Sequence, residues 1–348
     1  METTEKKIRV GITHGDINGI GYEVIIKTLI DKRITDLCTP IVYGSPKLSA
    51  YHRKAINLEN FSLNIIKDAN NANPKRPNII NCVDENTRIE LGKSTAEAGE
   101  AAYLSLEKAT QDLLENKIDV ILTAPINKKS IKSDKFQFPG HTEYFQSKTN
   151  SDEVLMLMLG EHMKIGVVAG HVPLKDVPSV ITEENILKKL RILNKSLLQD
   201  FAIRKGKIAV LGLNPHAGDN GVIGSEEQEI IIPTINKARE EGIMAVGPYP
   251  ADGFFGSNSY SKFDAILAMY HDQGLAPFKV VDFENGVNYT AGMPVIRTSP
   301  IHGTAFEIAG EGKASPDSFR AALFAAIDIF KNRELYKEMS ENKLGGGK

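Results

Sequence analysis

Three of the eight histidines stand just after short apolar runs. Residues 164–171 read KIGVVAGH, residues 207–216 read KIAVLGLNPH, and residues 264–279 read DAILAMYHDQGLAPFK, with His271 following the run. Runs of that length suit strands buried on both faces of a parallel sheet. In open α/β sheets, ligands bind beyond the carboxyl ends of such strands. Neutral imidazole is the commonest metal ligand, and three of them leave a coordination position open. They also leave the ion its full charge, so it can polarise an alcohol or carbonyl oxygen strongly. His171, His216 and His271 are therefore candidate metal ligands, although their scattered spacing satisfies no local rule of the HExxH kind. The plainer alternative for His271 is a ring that satisfies a backbone group beside Asp272, a helix cap.

Other residues offer anion chemistry. Residues 138–143 read FPGHTE, putting His141 and Thr142 at a helix start where exposed donors can hold a phosphate. A capping Thr beside a bystander His fits the same residues. Arg297 and Asn288 lie in 287–300, and Arg is the natural bidentate partner of phosphate or carboxylate. Lys279 follows His271 closely, and residues 247–253 (GPYPADG) read as a rigid loop presenting Asp252. The turn HGDINGIG after the first strand could bring backbone N–H groups to an anion, but Gly15, Gly19 and Gly21 miss the GxGxxG spacing, and no P-loop occurs. Glu226 and Glu227 suit a helix N-terminus electrostatically.

The elements that must position these groups alternate in type. Strands are expected at 8–13, 39–44, 119–125, 154–160, 164–171 and 265–269, and helices at 22–31, from 46, 95–116, 183–201, 225–242 and 318–332. Residues 63–77 read as surface loop around one edge strand. In the helix at 95–116 a stripe of Ala98, Ala102, Ser105, Ala109 and Leu113 calls for close packing. A chain of 348 residues holds two domains or one large α/β unit. Its net charge of −2 leaves no electrostatic footprint for nucleic acid. No apolar run reaches membrane-span length, the first nine residues are polar rather than signal-like, and Cys38 and Cys82 are too sparse for a metal knuckle. A cytoplasmic location is expected, with 344–348 as a frayed tail.

GDINGIG, TAPINK, FPGHTE, GLNPHAGDNGVIGSEE, GPYPAD, YHDQGLAPFK and HGTAFEIAGEGKASP occur together and in order. Over nearly its whole length the chain resembles the 4-hydroxythreonine-4-phosphate dehydrogenase family of pyridoxal-phosphate biosynthesis. The resemblance implies an isocitrate/isopropylmalate-dehydrogenase-like α/β fold, two doubly wound subdomains with a cleft between them. One would comprise residues 1–126 plus about 300–348; the other, about 127–299, would carry the metal ligands and the dimer interface. His171, His216 and His271 match the family's ligands for a divalent metal, usually zinc, with magnesium, cobalt or manganese as alternatives, at a homodimer interface fed by both subunits. His141, Thr142, Lys279, Asn288 and Arg297 match substrate-binding positions. Gly303, Thr304, Ala309 and Gly310 lie in the segment that holds the nicotinamide dinucleotide, NAD or NADP. Asp252 and Asp272 are candidates for proton transfer or for orienting a histidine.

The implied reaction oxidises 4-phosphohydroxy-L-threonine to 2-amino-3-oxo-4-phosphooxybutanoate, which decarboxylates to 3-amino-2-oxopropyl phosphate. A paralogue acting on phosphothreonate or phosphoerythronate would share these motifs. A phosphate acyltransferase of related fold would need no metal histidines, and a binding protein would tolerate their loss. The first loop departs from the family's usual GDPAGIGPE at Ile17, Asn18 and Tyr22. His302 follows Pro300 and Ile301, where related chains often carry an acidic residue.

Overall fold

The computed structural model describes residues 7–341; residues 1–6 and the tail at 344–348 lie outside them. Among the described residues twelve strands follow along the chain: β1 (Ile8–Thr13), β2 (Cys38–Gly44), β3 (Asn64–Ile66), β4 (Asn78–Asn81), β5 (Val120–Thr123), β6 (Leu155–Leu159), β7 (Lys164–Ala169), β8 (Ile208–Leu211), β9 (Ala245–Tyr249), β10 (Ala265–Tyr270), β11 (Val287–Ala291) and β12 (Arg297–Pro300). They belong to two compact units, one of residues up to 145 with 295–327, the other of 146–294 with the residues from 328.

In the first unit the strand order is β3-β4-β2-β1-β5-β12, every pair parallel. β2 and β5 are buried along their whole length, as expected of apolar runs covered by helices on both faces. The helix Ala96–Leu114 starts where Thr95 accepts the Ala98 N–H through its side chain (3.2 Å), and its small-residue stripe is buried throughout. β3, three residues long, is the edge strand of the segment expected to be loop.

The second unit has the order β11-β6-β7-β10-β8-β9, with β11–β6 and β6–β7 antiparallel and the other pairs parallel. β10 thus lies between β7 and β8, and the three strands that precede His171, His216 and His271 end side by side. The helix Glu183–Gln199 buries Ile186, Leu190, Leu193 and Leu197.

Three local readings change. The expected helix at 225–242 opens with a π-type turn, Glu227–Ile231, before Ile232–Glu240. Pro233 lacks the N–H that would continue the regular ladder. Residues 247–253 are not a loop: β9 runs to Tyr249 and a helix occupies Ala251–Gly256, with Asp252 in its first turn. Residues 128–145 belong to the first unit because Phe136 and Tyr144 pack on each other, and Phe136 also meets Tyr103 of the helix Ala96–Leu114. The last helix, Asp317–Glu341, is shared. Its end joins the second unit, where Arg333 Nε donates to the buried Asp200 carboxylate at 2.7 Å.

Candidate functional site

The first unit gathers Arg297, Thr123 and His141. Arg297 opens β12 and is only 3 % exposed. Its Nε and Nη2 donate to Thr123 Oγ1 at 3.0 and 2.8 Å, and Nη2 also reaches His141 Nδ1 at 3.2 Å. Burial lowers the guanidinium from its ordinary range to about 9. His141 is pulled well below the usual histidine value, first by burial and then by the charges of Arg297 and Lys128. Its ring is therefore neutral, and because Nδ1 accepts from Arg297, the proton sits on Nε2. That nitrogen is buried and has no partner among the described residues. A buried N–H donor beside a guanidinium, at the start of the helix His141–Lys148, is built to receive an anionic oxygen. Thr142 follows in the first turn of the same helix.

Beside these residues the first loop meets the segment 303–310. Ile20 N–H donates to Thr304 C=O at 3.0 Å, and Asp16 N–H to Pro125 C=O at 2.9 Å. Gly310 lies so close to Leu91 that a Cβ there would come within 2.4 Å of Leu91 Cδ1, whereas a Cβ at Gly303 would meet nothing within 4 Å. Ala309 lies between them, at the end of a short 3-10 turn, Phe306–Ile308. Lys27 fixes the far end, donating to the carbonyls of Gly312 and Ala314 at 2.8 and 2.7 Å. His302, just before this segment, keeps a buried Nε2 without a partner among the described residues, and burial lowers its pKa. An open flank at Gly303 and an orphaned polar atom at His302 are what a bound dinucleotide would fill.

The second unit holds the other candidates. The pairing of Tyr270 with Ala169 sets His171 and His271 side by side, their ring centroids 6.2 Å apart. His271 Nδ1 lies 2.6 Å from Asp272 Oδ1, which orients the ring. His216 stands on an exposed turn beyond β8. Among the described residues no group of three or more His, Cys, Asp or Glu side chains is close enough to hold a metal ion. Asp252 and Lys279 are exposed, and Asn288 on β11 keeps a buried Oδ1 without a partner among the described residues.

The turn that carries His216 is itself unusual. His216, Ala217, Gly218, Asp219 and Asn220 all have positive φ, a left-handed run that costs about 1–2 kcal/mol at each residue other than glycine. Glu227 holds it. This carboxylate is fully buried and accepts the N–H groups of Leu213 and Asn214, both at 2.7 Å, and Asn214 Nδ2 at 2.9 Å. Glu227 is therefore a loop-closing acid rather than the simple helix-terminal charge expected. Gln273 was also missed: it spans from Met269 N–H to Gly212 C=O and ties the ends of β10 and β8 together. A lone amide in the run after His271 gives no sequence signal for that role.

A family model described as "Pyridoxal phosphate biosynthetic protein PdxA" matches residues 36–326. The chain belongs to this family. Among its relatives is a 4-hydroxythreonine-4-phosphate dehydrogenase of Bacteroides thetaiotaomicron, 54% identical over 342 residues, covering 98% of this chain and 93% of the relative. The solved 4-hydroxythreonine-4-phosphate dehydrogenase of Klebsiella pneumoniae superposes with a TM-score of 0.82 at 32% identity, over 94% of this chain and 99% of that one. An isocitrate dehydrogenase of Methylococcus capsulatus shares the fold, with a TM-score of 0.51 at 10% identity over 96% of this chain and 89% of that one. The PdxA-family chain thus has the isocitrate-dehydrogenase type of fold, and it differs from the dinucleotide-binding folds for which GxGxxG is diagnostic.

Proposed function

We propose that the protein oxidises 4-phosphohydroxy-L-threonine with NAD or NADP, giving 2-amino-3-oxo-4-phosphooxybutanoate, which loses carbon dioxide to form 3-amino-2-oxopropyl phosphate. The observation that carries this reading is the 54% identity, across nearly the whole chain, to a relative named for that activity. The buried Arg297–His141 pair supplies a fitting anion receptor.

In this reading, Arg297 and the Nε2–H of His141 hold the phosphorylated substrate, with Thr142 beside them. Their burial strengthens each hydrogen bond and excludes water. Lys279 and Asn288, a cation and an amide of the second unit, are the remaining substrate-binding candidates. The substrate's secondary alcohol loses its carbon-bound hydrogen as hydride and its hydroxyl hydrogen as a proton. Gly303, Thr304, Ala309 and Gly310 would hold a nicotinamide dinucleotide, which would supply the hydride acceptor. The resulting β-keto acid then breaks its carboxyl bond, and a proton returns to the carbon left behind.

His171, His216 and His271 would hold a divalent cation, zinc, magnesium, cobalt or manganese, which would supply Lewis-acid polarisation of a bound oxygen. Two of these rings converge within one chain and the third stands on an exposed turn, which supports a site shared between two copies in a cytoplasmic homodimer. Asp272 orients His271 through its 2.6 Å contact. Asp252, exposed at the start of its own short helix, is the other proton-transfer candidate.

The test is formation of reduced nicotinamide from 4-phosphohydroxy-L-threonine by the purified protein, before and after chelation. Turnover that disappears with the chelator and returns with added metal is expected. Turnover of phosphothreonate or phosphoerythronate in its place would reassign the substrate, and turnover insensitive to metal removal would overturn the ligand assignment.

A further inference from the structure

Asn18, in the first loop, ties that loop to a segment far along the chain. Asn18 is fully buried. Its Oδ1 accepts the Glu90 N–H at 2.7 Å, while Nδ2 donates to Lys93 C=O at 2.9 Å and to Thr95 Oγ1 at 3.0 Å. The amide orientation is fixed, because exchanging O and N would set a donor against the Glu90 N–H and an acceptor against the Lys93 carbonyl. The Asn18 backbone adds two more bonds, its N–H to Asp16 Oδ1 and its C=O from the Gly92 N–H, each 2.9 Å. Alanine keeps the backbone bonds and loses all three side-chain bonds. Three further side-chain ties here, Arg88 N–H to Glu97, Lys93 to Glu90 and Ser94 to Asn127, are exposed, and the part-buried bond of Thr95 Oγ1 to Ala98 N–H runs into the following helix rather than to the first loop.

The segment so clasped is the wall behind residues 303–310. Leu91 fills the space in front of Gly310, and Gly92 lies against the Phe306 carbonyl, where a Cβ would come within 3.0 Å. We propose that Asn18 is a positioning residue for the dinucleotide: by clamping residues 90–95 to the first loop, it sets the shape of the Gly303–Gly310 segment. This inference rests on the reading of that segment as the cofactor loop. Asn18 touches no ligand itself and acts through Leu91 and Gly92.

The experiment compares Asn18→Ala with the unaltered full chain by fluorescence titration of NADH, steady-state kinetics and amide hydrogen exchange. Expected are a rise of about tenfold in the NADH dissociation constant and in KM for the oxidised cofactor, with kcat and the KM for the phosphorylated substrate changed by less than about threefold. Exchange should quicken at residues 90–95 and 303–310 together. A purely structural role would lower thermal stability and leave the NADH affinity of the folded protein unchanged, and that result overturns the proposal. If Asn18→Ala does not fold, Leu91→Ala loosens the same wall from its other side, and unchanged NADH affinity there overturns it equally. Gly303→Gln, which projects a side chain into open space, separates the two levels. If it leaves NADH affinity intact, the cofactor-loop reading fails. If it weakens binding while Asn18→Ala does not, the positioning role alone fails.

Discussion

Acidification should loosen the first unit through two histidines that stay neutral in the folded chain. His14 and His52 sandwich Tyr22 with centroid separations of 5.1 Å on both sides, and all three rings are buried. Burial lowers both imidazoles to about 4, against the raising effect of hydrogen bonds to the carbonyls of Gly15 and Ile17. In the unfolded chain each takes a proton near pH 6.5. With the folded pKa below the unfolded one, neither ring costs anything above about 6.5. The cost grows as pH falls from there towards 4 and then levels off. Near pH 5 each ring destabilises the fold by about 2 kcal/mol, so the pair removes about 4 kcal/mol. That is a large share of the 5–15 kcal/mol typical of a folded protein. The assay is urea denaturation at neutral pH and near pH 5, for the unaltered protein and for His52→Gln, whose amide can still reach the Ile17 carbonyl that His52 meets at 2.8 Å. The variant should lose about 2 kcal/mol less between the two conditions. An identical loss in both proteins, or a His52 ring proton titrating near 6.5 in the folded state, would refute the reasoning.

Arg297→Lys replaces a planar fork by a point charge and cannot keep both bonds to Thr123 and the one to His141. KM for the phosphorylated substrate should rise about tenfold or more with cofactor affinity unchanged, read by steady-state kinetics and NADH titration. Glu227→Gln keeps one oxygen for the Leu213 and Asn214 N–H groups but sets an NH2 against the Asn214 Nδ2 donor, and should weaken metal binding about tenfold, measured by competition with a chromophoric chelator. Equal affinity would disconnect Glu227 from His216. His171→Ala combined with His271→Ala should abolish stoichiometric metal uptake by mass spectrometry or atomic absorption, and retention of a full equivalent would move the site elsewhere.

The strands that carry the histidines were legible because β7, β8 and β10 are short and, apart from Lys164 and Tyr270 at two of their ends, apolar and buried, so composition announces them. Their adjacency was not, because the order β7-β10-β8 is set by crossovers that leave no periodic trace. His141 and Arg297 could be singled out as anion ligands from residue type. That His141 is neutral follows first from its burial, and that its proton sits on Nε2 follows from its contact with Arg297, which lies 156 positions away in sequence. Glu227 misled for a related reason. An acid at a helix start has an adequate local explanation, and nothing local reveals that its carboxylate turns back to Leu213 and Asn214. That residues 127–145 group with the first unit was not legible, because the aromatic packing of Phe136 on the helix Ala96–Leu114 is a tertiary fact.

The left-handed run at 216–220 also governs how freely this loop can drift under mutation. Ala217, Asp219 and Asn220 are small or carry a short polar side chain, and such residues tolerate that backbone far better than β-branched ones. A valine or isoleucine at any of the three would be selected against whether or not it touched a ligand. Just beyond, Gly221 has nothing within 4 Å of its would-be Cβ and Val222 is 79 % exposed. Exchanges of Val222 are therefore free of steric penalty within the chain, so the backbone of 216–220, and not the side chain at 222, limits what this loop can become.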